Sequence, residues 1–98
     1  MKISNFQDLL KDLYLQNDLN RGVKSTFIWL VEEIGELATI LNSTIIDKQK
    51  ASEELADIIA WAISVANILD IDIEDAILIS IQMNVKSAAL LHVYAKNE

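Results

Sequence analysis

Acidic side chains gather in two short clusters, and these are the residues of the chain best suited to carry out chemistry. The first cluster occupies residues 32–36, as Glu-Glu-Ile-Gly-Glu, and the second occupies residues 53–57, as Glu-Glu-Leu-Ala-Asp. Both interrupt apolar, helix-like sequence, where a bare carboxylate is costly to bury. Carboxylate oxygens are preferred ligands of hard divalent cations, so the clusters favour a divalent-cation site.

The two clusters are arranged symmetrically along the sequence. Three pairs of residues lie at equal distances from position 45: Glu33 with Asp57, Glu36 with Glu54, and Trp29 with Trp61. Because residues three or four apart share a helix face, an antiparallel hairpin turning near position 45 would place four carboxylates across one groove. Such carboxylates repel one another unless a cation lies between them. Spacing alone leaves a metal site and a solvated acidic face about equally supported.

The elements that must position these residues are helices. The sequence has no proline, two glycines and many Leu, Ile, Ala and Glu residues, which favours an all-α fold. Four helices are predicted, over about residues 4–18, 24–41, 48–69 and 73 to the mid-nineties. Ser4 is the expected N-cap of the first helix, and Gly22 closes a polar loop after it. Asp72 and Asp75 form a cap signal for the fourth helix.

The expected architecture is one domain over residues 1–98, a four-helix bundle-like subunit whose second and third helices form the acidic hairpin. Hydrophobic residues make up 52% of the chain. A chain this short buries a modest core, so the apolar surplus predicts an oligomer, either a homodimer or a homotetramer. Residues 58–69 are apolar on almost every side, as in a helix covered by a second subunit.

Charge and composition exclude several classes of protein. The net charge of −7 argues against nucleic-acid binding. Cysteine is absent and His92 is the only histidine, so a zinc site or a Glu-x-x-His di-iron site is disfavoured. The longest apolar run is shorter than the roughly 20 residues of a membrane span. No signal-peptide pattern opens the chain, and a cytoplasmic protein is expected.

The paired motif resembles that of the all-α nucleotide pyrophosphohydrolases. It reads Glu-Glu-x-x-Glu, then 17 residues, then Glu-x-x-Asp. This group includes MazG-like enzymes, dimeric dUTPases and phosphoribosyl-ATP pyrophosphohydrolases. Residues 29–37 and 53–61 look like the two MazG motifs, and residues 21–26 resemble the lead-in of short members. The similarity covers about residues 5–86.

The resemblance implies a reaction and a set of metal ligands. The reaction would be hydrolysis of a nucleoside triphosphate to monophosphate and pyrophosphate, with removal of non-canonical nucleotides as one role. The ligands of Mg²⁺, or of Mn²⁺ in its place, would be Glu33, Glu36, Glu54 and Asp57. Glu32 would support these ligands, replace one of them or hold the attacking water. Either Glu36 or Glu32 would accept the proton of that water.

Substrate contacts are expected from five further residues: Lys24, Trp29, Trp61, Asn84 and Lys86. Lys24 would contact the triphosphate, and the tryptophans would either stack on the base or lie in the core. Asn67 would bond the base or a partner helix. The fourth helix departs from the family pattern, because Ser80 stands where a lysine is usual and the basic run with Tyr-Pro is missing. This departure keeps a second hypothesis open, in which the chain is a non-catalytic helical module whose acidic face docks a basic partner.

Overall fold

The computed structural model describes the backbone of residues 1–96 and the side chains of residues 1–89 and 92. This part of the chain forms four helices and no strand: α1 (Ile3–Arg21), α2 (Val23–Leu41), α3 (Lys48–Ile68) and α4 (Ile73–Lys96). The predicted all-α fold is confirmed. The last two residues of the predicted domain, 97 and 98, lie outside the described residues.

Helices α2 and α3 form the most closely packed pair of the described fold. Residues 42–47 connect them, so the hairpin turns around position 45 as predicted. Asp47 begins α3 as its N-cap, since its Oδ1 accepts hydrogen bonds from the backbone N–H groups of Gln49 and Lys50, both at 3.1 Å. A side-chain acceptor there satisfies donors that a helix start leaves free.

The start and the end of α1 differ from the prediction. The helix begins at Ile3, with Lys2 rather than Ser4 at the N-cap position and no side-chain cap. It also continues through the predicted loop to Arg21. The Arg21 guanidinium pairs with Asp18 at 2.9 Å within the last turn, where a cation also suits the helix dipole. Gly22 then breaks the helix with a φ of 88°, a conformation that favours glycine.

A small core joins α1 to α3, with Leu10, Ile63 and Ala66 buried. Beside it lies a pair of buried amides, Gln7 and Asn67, which we call the amide cluster. Gln7 Nε2 donates to Asn67 Oδ1 at 2.9 Å. The expectation that Asn67 bonds a base or a partner helix is therefore wrong for its side-chain oxygen, because α1 supplies the donor within the same chain.

The amide cluster also fixes the junction between α3 and α4. Gln7 Nε2 donates to the Ile71 carbonyl at 2.8 Å, and Gln7 Oε1 accepts from the Ile73 N–H at 3.0 Å. Asp72 caps α4 as predicted, accepting from the Asp75 N–H at 3.0 Å. One glutamine thus holds the turn that sets the direction of α4.

Helix α4 packs mainly on α1 and leaves most of its described surface in solvent. The radius of gyration is 17.6 Å, whereas a compact chain of this length has about 13 Å. Large apolar side chains exposed on α4 are Ile77, Leu78, Ile79, Ile81, Met83 and Val85.

None of the helices in residues 1–96 is long and apolar enough to cross a bilayer.

Candidate active site

Three carboxylates converge on the α2–α3 hairpin. Glu33 and Glu36 lie one turn apart on α2, and Glu54 faces them from α3. One carboxylate oxygen of each residue lies within 4.8 Å of the others. We call these residues the glutamate cluster. They are three of the four metal ligands that the resemblance implies.

The negative charges of the cluster disfavour the ionised form of Glu54. Its pKa is raised to about 7, chiefly because the protonated form hydrogen-bonds to Glu33. Desolvation is the next cause, followed by a hydrogen bond to Glu36 and by repulsion from both negative charges. The ion pair between Arg21 and Asp18 is the one salt bridge found among the described residues, so no salt bridge from this region neutralises the cluster.

The glutamate cluster has a donor set that fits a hard cation. Glu54 Oε2 is shielded from solvent and has no hydrogen-bond partner. An orphaned buried carboxylate oxygen is costly unless it is protonated or meets a positive ligand. The neighbouring oxygens belong to carboxylates, the ligands that Mg²⁺ and Mn²⁺ accept. The cluster therefore has the ligand chemistry and the unmet charge of a divalent-metal site.

Asp57 and Glu32 lie beside this cluster rather than within it. Asp57 is exposed on α3, one turn after Glu54, and does not belong to the converging group. Glu32 is exposed on α2 next to Glu33. The cluster forms without either of these acids.

The two tryptophans meet across the hairpin. The Trp29 and Trp61 rings are stacked, with centroids 5.9 Å apart and planes inclined by 13°. This contact agrees with the predicted hairpin register, which places the two residues at one level. The Arg21 guanidinium lies 4.9 Å from the centroid of Trp61, which is a cation–π distance.

The remaining predicted substrate contacts are less closely assembled. Lys24 is exposed in the first turn of α2. Asn84 and Lys86 are exposed on α4, which packs mainly on α1 and not on the hairpin. In the described part of a single chain, these two residues do not join the glutamate cluster.

A pocket that the sequence did not predict lies between α1 and α3. Its volume is about 230 Å³, and its lining includes Tyr14, Asp18, Arg21 and Trp61. The sequence did not indicate Asp18 and Arg21 as site residues, because residues 17–22 have the composition of a polar loop. Their i, i+3 spacing was the available signal, since opposite charges three apart pair on a helix.

Known proteins place this hairpin in a family. Residues 21–83 match the family model described as the MazG nucleotide pyrophosphohydrolase domain. This match spans most of the chain, both acidic motifs and both tryptophans, so the chain belongs to the MazG family of metal-dependent hydrolases acting on nucleotide pyrophosphate bonds. No curated protein matched the sequence.

Proposed function

We propose that this protein hydrolyses nucleoside or deoxynucleoside triphosphates to the monophosphate and pyrophosphate in a Mg²⁺-dependent reaction. The observation that carries the proposal is the glutamate cluster, in which three carboxylates converge and one Glu54 oxygen has no partner. Mn²⁺ has the same preference for oxygen ligands and is the natural substitute. Non-canonical nucleotides are included among the candidate substrates.

The acids of the hairpin divide between metal binding and proton transfer in this proposal. Glu33, Glu36 and Glu54 would hold the cation, with Asp57, one turn further along α3, as the fourth ligand. Bound Mg²⁺ would neutralise the phosphate chain and lower the pKa of the attacking water. Glu36 or Glu32 accepts the water's proton, since no histidine lies in the hairpin.

The tryptophans give the nucleotide its orientation. Trp61 lies seven residues after Glu54, which is about 10 Å along α3 at 1.5 Å per residue. A base near Trp61 can therefore direct its phosphates towards the glutamate cluster. Trp29 supports the Trp61 ring from α2. Lys24 would supply positive charge to the triphosphate from the start of α2.

A second copy of the chain would complete the structure. The accessible surface is 7577 Å², roughly 2,000 Å² more than expected for a compact monomer of this length. A standard interface covers only about 800 Å² per partner, so the excess surface is large enough for an interface with a second subunit. The exposed apolar side chains of α4 would be buried in a homodimer or homotetramer, and Asn84 and Lys86 would reach the active site of the neighbouring subunit.

The direct test is turnover of a panel of canonical and modified nucleoside triphosphates with Mg²⁺, with chromatographic separation of the products. Monophosphate and pyrophosphate should form, and EDTA or Glu36→Gln should abolish them. Glu53→Gln is the matched control, because Glu53 is exposed on α3 beside Glu54 but outside the cluster. Absence of turnover, together with absence of Mg²⁺-dependent stabilisation, would favour the non-catalytic docking module.

A further inference from the structure

The pocket between α1 and α3 contains a second unmet acceptor. Among the described residues, two buried side-chain oxygens lack any hydrogen-bond partner: Glu54 Oε2 and Asp18 Oδ2. Glu54 belongs to the glutamate cluster. Asp18 is 2% exposed and lines the pocket beside Trp61. A buried carboxylate with one free oxygen lacks a hydrogen-bond donor, and the described chain does not provide one.

Arg21 satisfies only the other oxygen of Asp18. Its Nη1 lies 2.9 Å from Asp18 Oδ1 and 3.3 Å from Thr26 Oγ1. Thr26 is fully buried and donates its own hydroxyl to the Gly22 carbonyl at 2.8 Å. These contacts orient the Asp18 carboxylate and leave Oδ2 without a donor. Oδ2 is itself shielded from solvent, so a ligand in the pocket reaches it only with a shift of the pocket wall, in which Arg21 is 28% exposed.

The lining of the pocket suits a nucleobase. Its wall is largely apolar, with Leu10 and Ala60 beside the Trp61 ring. Pockets of this kind gain affinity from apolar contact and specificity from a few placed polar groups. Trp61 and Ser64 continue the face of α3 that carries Glu54, since they follow it by seven and ten residues. A ligand could therefore occupy the pocket and the glutamate cluster together.

We propose that Asp18 determines base specificity, and that the pocket selects a nucleobase carrying an exocyclic amino group. This inference rests on the proposed function, because it assigns the substrate class of the same site. An ionised carboxylate only accepts hydrogen bonds. An amino group gives Oδ2 the donor that it lacks. A carbonyl oxygen in the same place brings two acceptors together, so an oxo base gains this hydrogen bond only by moving its neighbouring ring N–H to that position.

The test compares nucleotides that carry amino or oxo at one ring carbon, a change that also converts the adjacent ring nitrogen from an acceptor to an N–H donor. The pairs are dCTP with dUTP and dATP with dITP, assayed for kcat/KM with Mg²⁺. In the better-used pair, the amino member should be favoured by at least about tenfold, the effect of one hydrogen bond to a charged group. Equal rates, or preference for the oxo member, would overturn the assignment.

The Asp18→Asn variant sharpens the test. Asparagine keeps an oxygen for Arg21 and presents an amide donor in place of Oδ2, so the amino preference should vanish or invert. Asp12→Asn is the matched control, because Asp12 is an exposed aspartate on the same helix, and its preference should equal that of the wild type. An unchanged preference in Asp18→Asn would contradict the proposal.

A binding measurement separates this proposal from the proposed function. Trp29→Phe leaves Trp61 as the only tryptophan, so its fluorescence reports a base entering the pocket. In EDTA, dCMP or dAMP should quench Trp61 at lower concentration than dUMP or dIMP, and Asp18→Asn should remove the difference. If the protein shows this binding selectivity but no turnover, only the proposed hydrolysis reaction is overturned. Turnover without selectivity in either assay would overturn only the role of Asp18.

Discussion

The glutamate cluster and the amide cluster are two groups of polar side chains in one helical fold, and they differ in whether their polar atoms find partners within the chain. The amide cluster is neutral and buried, and its members satisfy each other and the α3–α4 turn. The glutamate cluster is charged and partly exposed, and it leaves Glu54 Oε2 without a partner. A satisfied cluster stabilises the fold by itself, whereas an unsatisfied one indicates a ligand.

The difference teaches that charge alone does not identify the functional polar group. Gln7 and Asn67 are 5% exposed, and both would look functional in an apolar helix. Their complete hydrogen bonding marks them as structural. Glu54 is less buried, yet its free oxygen and raised pKa show that its carboxylate is not stabilised by the chain. If mutations in the glutamate cluster lowered stability and mutations in the amide cluster lowered only activity, this comparison would be wrong.

The largest effect is expected from Glu54→Gln or Glu36→Gln. Either substitution removes a charge that we propose binds the metal, and it should lower kcat/KM on the order of 10³-fold, as loss of a group acting directly in catalysis does. In EDTA the thermal midpoint of the same variants should stay or rise, because repulsion in the cluster is relieved. Glu53→Gln is the control for both readings. A variant with full activity would remove its residue from the site.

The amide cluster should respond in the opposite way. Gln7→Leu leaves Asn67 Oδ1, the Ile71 carbonyl and the Ile73 N–H without their partner, so we expect about 2–4 kcal/mol of lost stability. Urea unfolding measures this loss. Gln16→Leu on the exposed side of α1 is the control and should change stability by less than about 0.5 kcal/mol. An equally small effect at Gln7 would show that the cluster is dispensable.

Mg²⁺ should stabilise the protein through the glutamate cluster. At tenfold excess over Kd, binding to the folded state contributes about 1.4 kcal/mol. The gain should be larger at pH 8 than at pH 5.5, because protonation of Glu54 competes with the cation. Differential scanning calorimetry with and without Mg²⁺ measures it. The same gain in Glu54→Gln would place the cation elsewhere.

The smallest effect concerns pH in the absence of metal. The pKa of Glu54 is raised from 4.5 to about 7 on folding, so between these values the folded state binds more protons than the unfolded state. The contribution of Glu54 to stability is therefore full below about pH 4.5 and is lost as pH rises towards 7. Subtracting the pH profile of Glu54→Gln, measured by urea unfolding in EDTA, should isolate this decline. Parallel profiles would contradict the raised pKa.

Periodicity and spacing predicted most of the hairpin. The absence of proline and the two acidic motifs indicated paired helices turning near position 45, and the stacked Trp29 and Trp61 rings agree with that register. The boundary of α1 was missed because Asp18 and Asn20 disfavour helix interiors by local propensity. The Asp18–Arg21 pair and the packing of α1 on α3 outweigh this propensity.

The sequence by itself determined the all-α class, the hairpin and the candidate metal ligands, because helical period and ligand chemistry are local properties of the chain. The tertiary structure decided what each polar group meets. Asn67 finds Gln7 sixty residues away, and Asp18 comes to line a pocket with Trp61. Such partners depend on how separate helices dock, and spacing along the chain does not encode that arrangement directly.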